Sequence, residues 1–282
     1  MSDLRITVSK SAGFCWGVER ALELVRSAAT QAQGPINTLG PLIHNPGVIA
    51  ELRANGIGVV SEPAEMERGT IILRSHGVPR DIREELDASG LTVLDATCRF
   101  VKLAQEKAAR LKQQGYRVII LGERDHPEVL ALRSYAGDDS LVVESPHDLP
   151  ADLPGQRFGV VVQTTQSQER LADLVAHLAP RVRELLIHNT ICSATEQRQR
   201  AAISMAGGVD VVIVVGGRNS GNTRRLAELC ADVQPRTHHV EAAEEIEPAW
   251  FADAGSVGIT AGASTPGDQI EAIVRRVQEI GT

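Results

Sequence analysis

The chain has 282 residues, 43% hydrophobic and 23% charged, and 29 Lys and Arg against 36 Asp and Glu leave a net charge of −7. This is an ordinary globular composition, long enough for one large domain or two to three small ones. The acidic balance argues against broad nucleic-acid binding, which needs a basic face, although a local pocket can still be positive toward a small anion. The opening Met1-Ser-Asp-Leu-Arg-Ile6 lacks the charged and apolar regions of a signal peptide. No apolar run approaches the ~20 residues of a membrane span. The expected address is the cytoplasm, where thiols stay reduced. The four cysteines are therefore read as ligands, catalysts or core residues rather than disulfides.

In chain order, a short apolar run from Ile6 leads to Cys15 and an amphipathic stretch. A second apolar run ends at Gly40, 25 residues after Cys15, and the polar loop Pro41-Leu-Ile-His44-Asn45 follows. A third run, Ile71-Ile-Leu73, ends in Arg74-Ser-His76-Gly77, and Thr92-Val-Leu-Asp95 leads to Cys98. The same sequence of features then recurs. Residues 101–114 predict a helix closed by Gly115, and Arg117–Gly122 predicts a strand ending 24 residues after Cys98. The loop Glu123-Arg-Asp-His126-Pro-Glu128, the run Gly159–Thr165 and the run from Leu185 to Cys192 complete this second copy. In the third, the strand Asp210–Gly216 ends 24 residues after Cys192, followed by the loop Gly217–Asn222, a helix over 222–231, and the run Val257–Ser264.

This recurrence predicts an α/β fold of three pseudo-symmetric βα units with mostly parallel sheets, placed at residues 1–98, 99–191 and 192–282. The Pro/Asp stretch 144–156 reads as a surface connection inside the second unit. If the units pack about a pseudo-threefold axis, as a trefoil, three thiolates meet at one point and form a central metal site. Zinc or an iron–sulfur cluster would both suit such ligands. A lone cysteine is commonly a buried core residue, and Cys230, which has no repeat partner and an amphipathic helical setting, is read that way.

Ligands of parallel sheets bind beyond the carboxyl ends of strands, where helix N-termini favour anions. His44, His76 and His126 all fall on such rims, and imidazole N–H groups can bind phosphate. His147, His177, His188, His238 and His239 lack that placement. Thr164, Thr165, Ser220, Asn222 and Ser264 follow strands and precede turns or helices; they read equally as helix caps or as phosphate contacts. Glu128 reads either as a helix-start glutamate after Pro127 or as a carboxyl whose burial beside the metal raises its pKa for proton donation. No phosphate- or dinucleotide-binding glycine motif stands at a strand end.

Together, Ala12-Gly-Phe-Cys15-Trp-Gly-Val-Glu-Arg-Ala-Leu22, Gly40-Pro-Leu-Ile-His-Asn45, Ser75-His-Gly-Val78, Asp95-Ala-Thr-Cys98, His126-Pro-Glu-Val129, Gln163-Thr-Thr165, Thr190-Ile-Cys192, Asn219-Ser220 with Asn222, and Gly258–Pro266 resemble the 4-hydroxy-3-methylbut-2-enyl diphosphate reductase family of the non-mevalonate isoprenoid pathway. The resemblance implies a [4Fe–4S] cluster on Cys15, Cys98 and Cys192, with the substrate hydroxyl at its open iron. Two electrons and protons then remove that oxygen as water, giving isopentenyl and dimethylallyl diphosphate. It implies proton supply from Glu128 with a Thr164 or Thr165 hydroxyl, and a diphosphate site of His44, His76, His126, Ser220, Asn222 and Ser264. His126 would also relay protons, and ferredoxin or flavodoxin would donate electrons. The sequence departs from the family at Arg99, commonly proline, at Gly221, commonly a second serine, and at Leu130-Ala-Leu-Arg-Ser134, commonly a Gly-Thr element. These departures keep open a paralogue reducing another allylic or unsaturated anion. A non-enzymatic iron–sulfur or zinc redox sensor is the more distant alternative.

Overall fold

Runs such as Val211–Val215, buried at every position, form strands covered on both faces, and the alternating amphipathic stretches supply the covering helices. The computed structural model describes residues 4–32, 34–153 and 157–281. In chain order the first elements are β1 (Arg5–Val8), α1 (Trp16–Gln31), β2 (Ile36–Leu39), α2 (Pro46–Ala54), β3 (Ile57–Val60), β4 (Thr70–Leu73), α3 (Arg80–Ala88) and β5 (Thr92–Asp95). Next come α4 (Arg99–Gln113), β6 (Arg117–Leu121), α5 (Pro127–Ala136), β7 (Leu141–Val143), β8 (Arg157–Val162), α6 (Gln168–Leu178) and β9 (Glu184–His188). The last are α7 (Ser193–Ala206), β10 (Val211–Val215), α8 (Gly221–Val233), β11 (Thr237–Val240), β12 (Ser256–Ala261) and α9 (Gly267–Gly281).

The described strands form three four-stranded sheets, all parallel, with orders β3-β2-β4-β5, β7-β6-β8-β9 and β11-β10-β12-β1. The three orders are the same pattern, so the α/β fold of three pseudo-symmetric units expected from the recurrence is present. The repeat is permuted by one strand. β1, which leads to Cys15 as β5 leads to Cys98 and β9 to Cys192, pairs with β12, Arg5 opposite Ser256. Residues 5–8 thus complete the sheet built by residues 211–261.

Contacts divide the chain into two compact units. One comprises Met1–Val18, His44–Val48 and Ser193–Thr282. In it Ile213 and Val215 pack toward Ile270, Ile273 and Val277 of α9, while Val212 and Val214 pack toward Ala202, Ala206, Leu226 and Cys230. Cys230 is therefore core, as read, and burial pushes its thiol up to about 12. The other unit comprises Glu19–Ile43 and Ile49–Cys192 and carries the remaining two sheets. There Val118 and Ile120 face Ala104, Ala108 and Leu111 of α4, and Ile119 and Leu121 face Leu171, Leu174 and Leu178 of α6.

The predicted helix over 101–114 starts earlier, at Arg99, because Cys98 takes the N-cap position with extended backbone. It ends before Gly115, whose φ of +78° suits glycine after a helix. The helix expected over 222–231 spans Gly221–Val233. Both predicted strands lose their final glycine. Gly40, Gly122 and Gly216 instead begin a turn, each giving its N–H to the last residue of the neighbouring strand, the carbonyls of Val60, Val143 and Val240 at 2.7, 2.9 and 3.0 Å. Of the stretch 144–156, residues 154–156 lie outside the described residues, and 144–153 is largely exposed apart from Leu149.

Gly216 has φ +138°, and a Cβ there would sit 2.5 Å from Thr265 Oγ1 and 3.0 Å from Thr223 Oγ1. Gly216→Ala is expected to destabilise the fold by about 1–3 kcal/mol, read as a lower denaturant midpoint, because both backbone conformation and space are wrong for alanine. An unchanged midpoint would show that this rim is plastic.

Candidate active site

In each sheet the two central strands send their chains to opposite sides, which makes a crevice beyond their carboxyl ends. The site residues come from the two loops at that crevice. Counting from the rim glycines Gly40, Gly122 and Gly216, the fourth residues on are His44, His126 and Ser220, and the sixth are Pro46, Glu128 and Asn222. Counting from the ends of β4, β8 and β12, the second residues on are Ser75, Thr164 and Ala263, and the third are His76, Thr165 and Ser264. The polar residues singled out in the sequence are thus repeat-equivalent positions filled differently.

Each rim loop also starts a helix with a side-chain cap. Asn45 Oδ1 accepts the Val48 N–H at 3.1 Å, His126 Nδ1 accepts the Glu128 N–H at 3.1 Å, and Ser220 Oγ accepts the Thr223 N–H at 3.3 Å. Because its Nδ1 is an acceptor, neutral His126 carries its proton on Nε2. His126 also meets His76 edge to face, ring centroids 5.4 Å apart.

In the unit formed by Glu19–Ile43 and Ile49–Cys192, Glu128 and Thr164 are joined twice. The Thr164 N–H donates to Glu128 Oε1 at 2.7 Å and its hydroxyl to Oε2 at 2.8 Å. Glu128 is 1% exposed. Burial pushes its carboxyl up to about 7, against the two hydrogen bonds from Thr164, which favour the ionised form, and with a small push from Glu123. Thr165 is not part of this pair; its Oγ1 accepts from Gln163 Nε2 at 3.0 Å.

In the other unit, the Ser264 hydroxyl donates to the His44 carbonyl at 3.1 Å, and Asn45 Nδ2 donates to Gln269 Oε1 at 3.0 Å. Asn222 occupies the place of Glu128 in its repeat and is 4% exposed, yet neither atom of its carboxamide makes a hydrogen bond among the described residues. The repeat explains the vacancy: Ala263, with no hydroxyl, stands where Thr164 serves Glu128. A buried amide left open at the N-terminus of α8 is poised to bind an anion or a hydroxyl.

Cys15, Cys98 and Cys192 are unbridged and half-buried, and each immediately precedes a helix. Their backbone N–H groups donate to the carbonyls of Ala263, Ser75 and Thr164, at 3.1, 3.0 and 3.0 Å, which are again repeat-equivalent. Cysteine sulfurs are soft donors of the kind an iron–sulfur cluster or zinc takes. The residues present fit such a group.

Residues 6–278 match the model of the family described as LytB protein. The chain belongs to the LytB family. Among LytB relatives, a protein from Pelobacter propionicus named 4-hydroxy-3-methylbut-2-enyl diphosphate reductase is 46% identical over 98% of this chain and 99% of its own length. One of the same name from Aquifex aeolicus is 43% identical, covering 98% and 96%. Two solved LytB-like structures agree. One, of (E)-4-hydroxy-3-methyl-but-2-enyl diphosphate reductase, is 42% identical with a TM-score of 0.71 over 99% of this chain and 100% of the other. The second, the corresponding reductase from Plasmodium falciparum, is 25% identical with a TM-score of 0.89, covering 97% and 87%.

The departures of this LytB chain have identifiable settings. Arg99 is exposed, its guanidinium 4.8 Å from the Phe100 ring centroid. Gly221 is the buried first residue of α8. Leu130–Ser134 lies in the body of α5, with Ala131 and Leu132 in the core and the Ser134 hydroxyl accepting the Arg80 N–H at 2.9 Å. Sequence reasoning missed Asn45 as a cap, although an Asn-Pro pair before an apolar stretch is a helix-start signal. Gln163, quoted only as part of a motif, has a role that was not read: it is fully buried, and its Oε1 accepts the Glu123 N–H at 2.9 Å and fixes the loop leading to His126. His239, set aside, reaches the rim with its Nε2 2.8 Å from the Gly216 carbonyl. No helix among the described residues is long and apolar enough to cross a membrane.

Proposed function

We propose that this chain reduces 4-hydroxy-3-methylbut-2-enyl diphosphate, consuming two electrons and two protons and releasing water, to isopentenyl and dimethylallyl diphosphate. The observation that carries the reading is full-length identity of 42–46% to relatives named as that reductase. A [4Fe–4S] cluster would be held by Cys15, Cys98 and Cys192, and when bound it supplies the electrons and a Lewis-acidic iron for the departing oxygen. The three repeat units, 1–98, 99–191 and 192–282, would each contribute one strand-end rim, with Cys15 and Cys98 in the first unit and Cys192 opening the third. Reducing equivalents would come from a ferredoxin or flavodoxin in the cytoplasm, where the thiols stay reduced.

The protein's own residues bind the anion and deliver the proton. Glu128 stores a proton near neutral pH. The protonated carboxyl can reverse its bond to Thr164, donating to the Thr164 oxygen while that hydroxyl donates onward to the substrate oxygen. Thr165 shares this role in the proposal only as a neighbour whose hydroxyl is tied to Gln163. His44, His76, His126, Ser220, Asn222 and Ser264 bind the diphosphate, and the Nε2–H of His126 is oriented by its Nδ1 cap bond. The test is anaerobic turnover of the iron-loaded protein with a chemical one-electron reductant and a panel of allylic diphosphates. Formation of both C5 products is expected; faster turnover of a different diphosphate would replace the substrate, and no consumption of any would sink the reading.

Asn222 supplies a separate prediction. Asn222→Ala should raise KM about 10- to 100-fold by removing a hydrogen bond to a charged ligand, while the melting temperature stays level or rises because an unsatisfied buried amide is gone. A lowered melting temperature with KM unchanged would make the residue structural.

A further inference from the structure

Two arginines outside the machinery described above reach the turns that carry cysteines. Arg198, on α7, is 4% exposed. Its Nη2 donates to the Gly13 carbonyl at 2.8 Å, two residues before Cys15, and its Nη1 lies 3.5 Å from the Ala194 carbonyl in the first turn of its own helix. Gly13 has φ +107°, so the turn it occupies is one that glycine alone adopts readily, and the arginine grips it at that point. Arg20, half-buried on α1, repeats the arrangement for Cys98: Nη1 and Nη2 lie 3.4 Å from the carbonyls of Thr97 and Asp95.

A guanidinium keeps its charge at any pH a protein meets, and its planar fork can hold two oxygens at a fixed angle. Burying that charge is costly unless it does electrostatic work for its surroundings. The Cys15 turn needs both properties. Its glycine makes it deformable, and a thiolate-ligated cluster gains negative charge on reduction, which a fixed cation stabilises most when it lies close.

We propose that Arg198, with Arg20 as its weaker counterpart, is a positioning residue for the cluster. It locks the Cys15 turn and holds a permanent positive charge beside that turn, raising the cluster's reduction potential. This inference rests on the cluster assignment proposed above.

The test is a redox titration of the iron-loaded protein followed by electron paramagnetic resonance, without substrate, for wild type, Arg198→Met, Arg198→Lys and Arg20→Gln. In Arg198→Met the ratio of reduced to oxidised cluster at fixed potential should fall on the order of tenfold, ~59 mV for a one-electron couple. Arg198→Lys keeps the charge and should stay near wild type in potential while losing cluster faster on dilution. Arg20→Gln, at a half-exposed site that tolerates polar replacement, should shift the same way by less. Full cluster content with a wild-type potential in Arg198→Met overturns the proposal. If Arg198→Met does not fold, a wild-type potential in Arg20→Gln overturns it instead. A wild-type protein that binds no iron overturns both this inference and the cluster assignment. A potential shift in a protein that leaves the allylic diphosphate untouched upholds the arginine role and removes only the substrate.

Discussion

Glu128→Gln is expected to lower kcat by about 10²- to 10⁴-fold, the usual worth of a positioned general acid, while cluster content and substrate affinity stay close to wild type. The amide keeps the shape and can still accept the Thr164 N–H that now reaches Glu128 Oε1 at 2.7 Å. What it lacks is the proton. In the wild type the carboxyl holds that proton up to about pH 7 because burial disfavours the ion. Turnover should therefore fall as the pH rises through about 7, and the residual rate of the variant should lack that limb. Stability carries the same signature with a defined sign. Between the ordinary carboxyl range and about 7, the folded state holds a proton that the unfolded chain has released, so wild-type stability falls as pH rises through that window. The glutamine variant escapes this fall. Thr164→Val, which removes the hydroxyl and keeps the N–H, should lower kcat less and leave the acid limb in place. Steady-state kinetics against pH for the three proteins separate these outcomes, and full activity in Glu128→Gln would remove the residue from the proton path.

Cys98→Ser is expected to lose the cluster and, with it, all turnover. The substitution is nearly isosteric. The Cys98 N–H bond to the Ser75 carbonyl, 3.0 Å, and the N-cap backbone of α4 are main-chain features that serine preserves. A neutral hydroxyl is a poor substitute for a thiolate toward iron. Iron analysis and a thermal melt should show an empty but folded protein. Retained iron with wild-type turnover would dismiss Cys98 as a ligand, and the same pair of measurements applies to Cys15 and Cys192.

Much of this was legible in the sequence because the repeat is punctuated by residues whose chemistry is local. Gly40, Gly122 and Gly216 mark the point where a buried strand turns at the rim, and Cys15, Cys98 and Cys192 each mark the start of a helix. The short outer strands were not legible. β7 has three residues, and β11 reads Thr-His-His-Val, partly exposed at three of its four positions, so neither stands out as an apolar run. The place of β1 was hidden for a different reason: its partner β12 lies some 250 residues away, and no local pattern encodes a permuted pairing. The candidate site divides in the same way. His126, Glu128 and Ser220 were visible from their offsets past a glycine. That Thr164 rather than Thr165 meets Glu128 depends on which side of the chain faces the crevice two residues after β8. The open amide of Asn222 depends on an absent hydroxyl at Ala263, 41 residues downstream. Arg198, whose importance lies in the carbonyl it grips 185 residues away, gave no local signal at all.

The most direct test of the account joins the cluster, the substrate and the chemistry in one anaerobic tube. The iron-loaded protein is reduced, its electron paramagnetic resonance spectrum is recorded, and 4-hydroxy-3-methylbut-2-enyl diphosphate is added. The account predicts a cluster signal that changes on addition, with isopentenyl and dimethylallyl diphosphate formed as the reductant is consumed. A cluster signal indifferent to the diphosphate, with no C5 product, would contradict it.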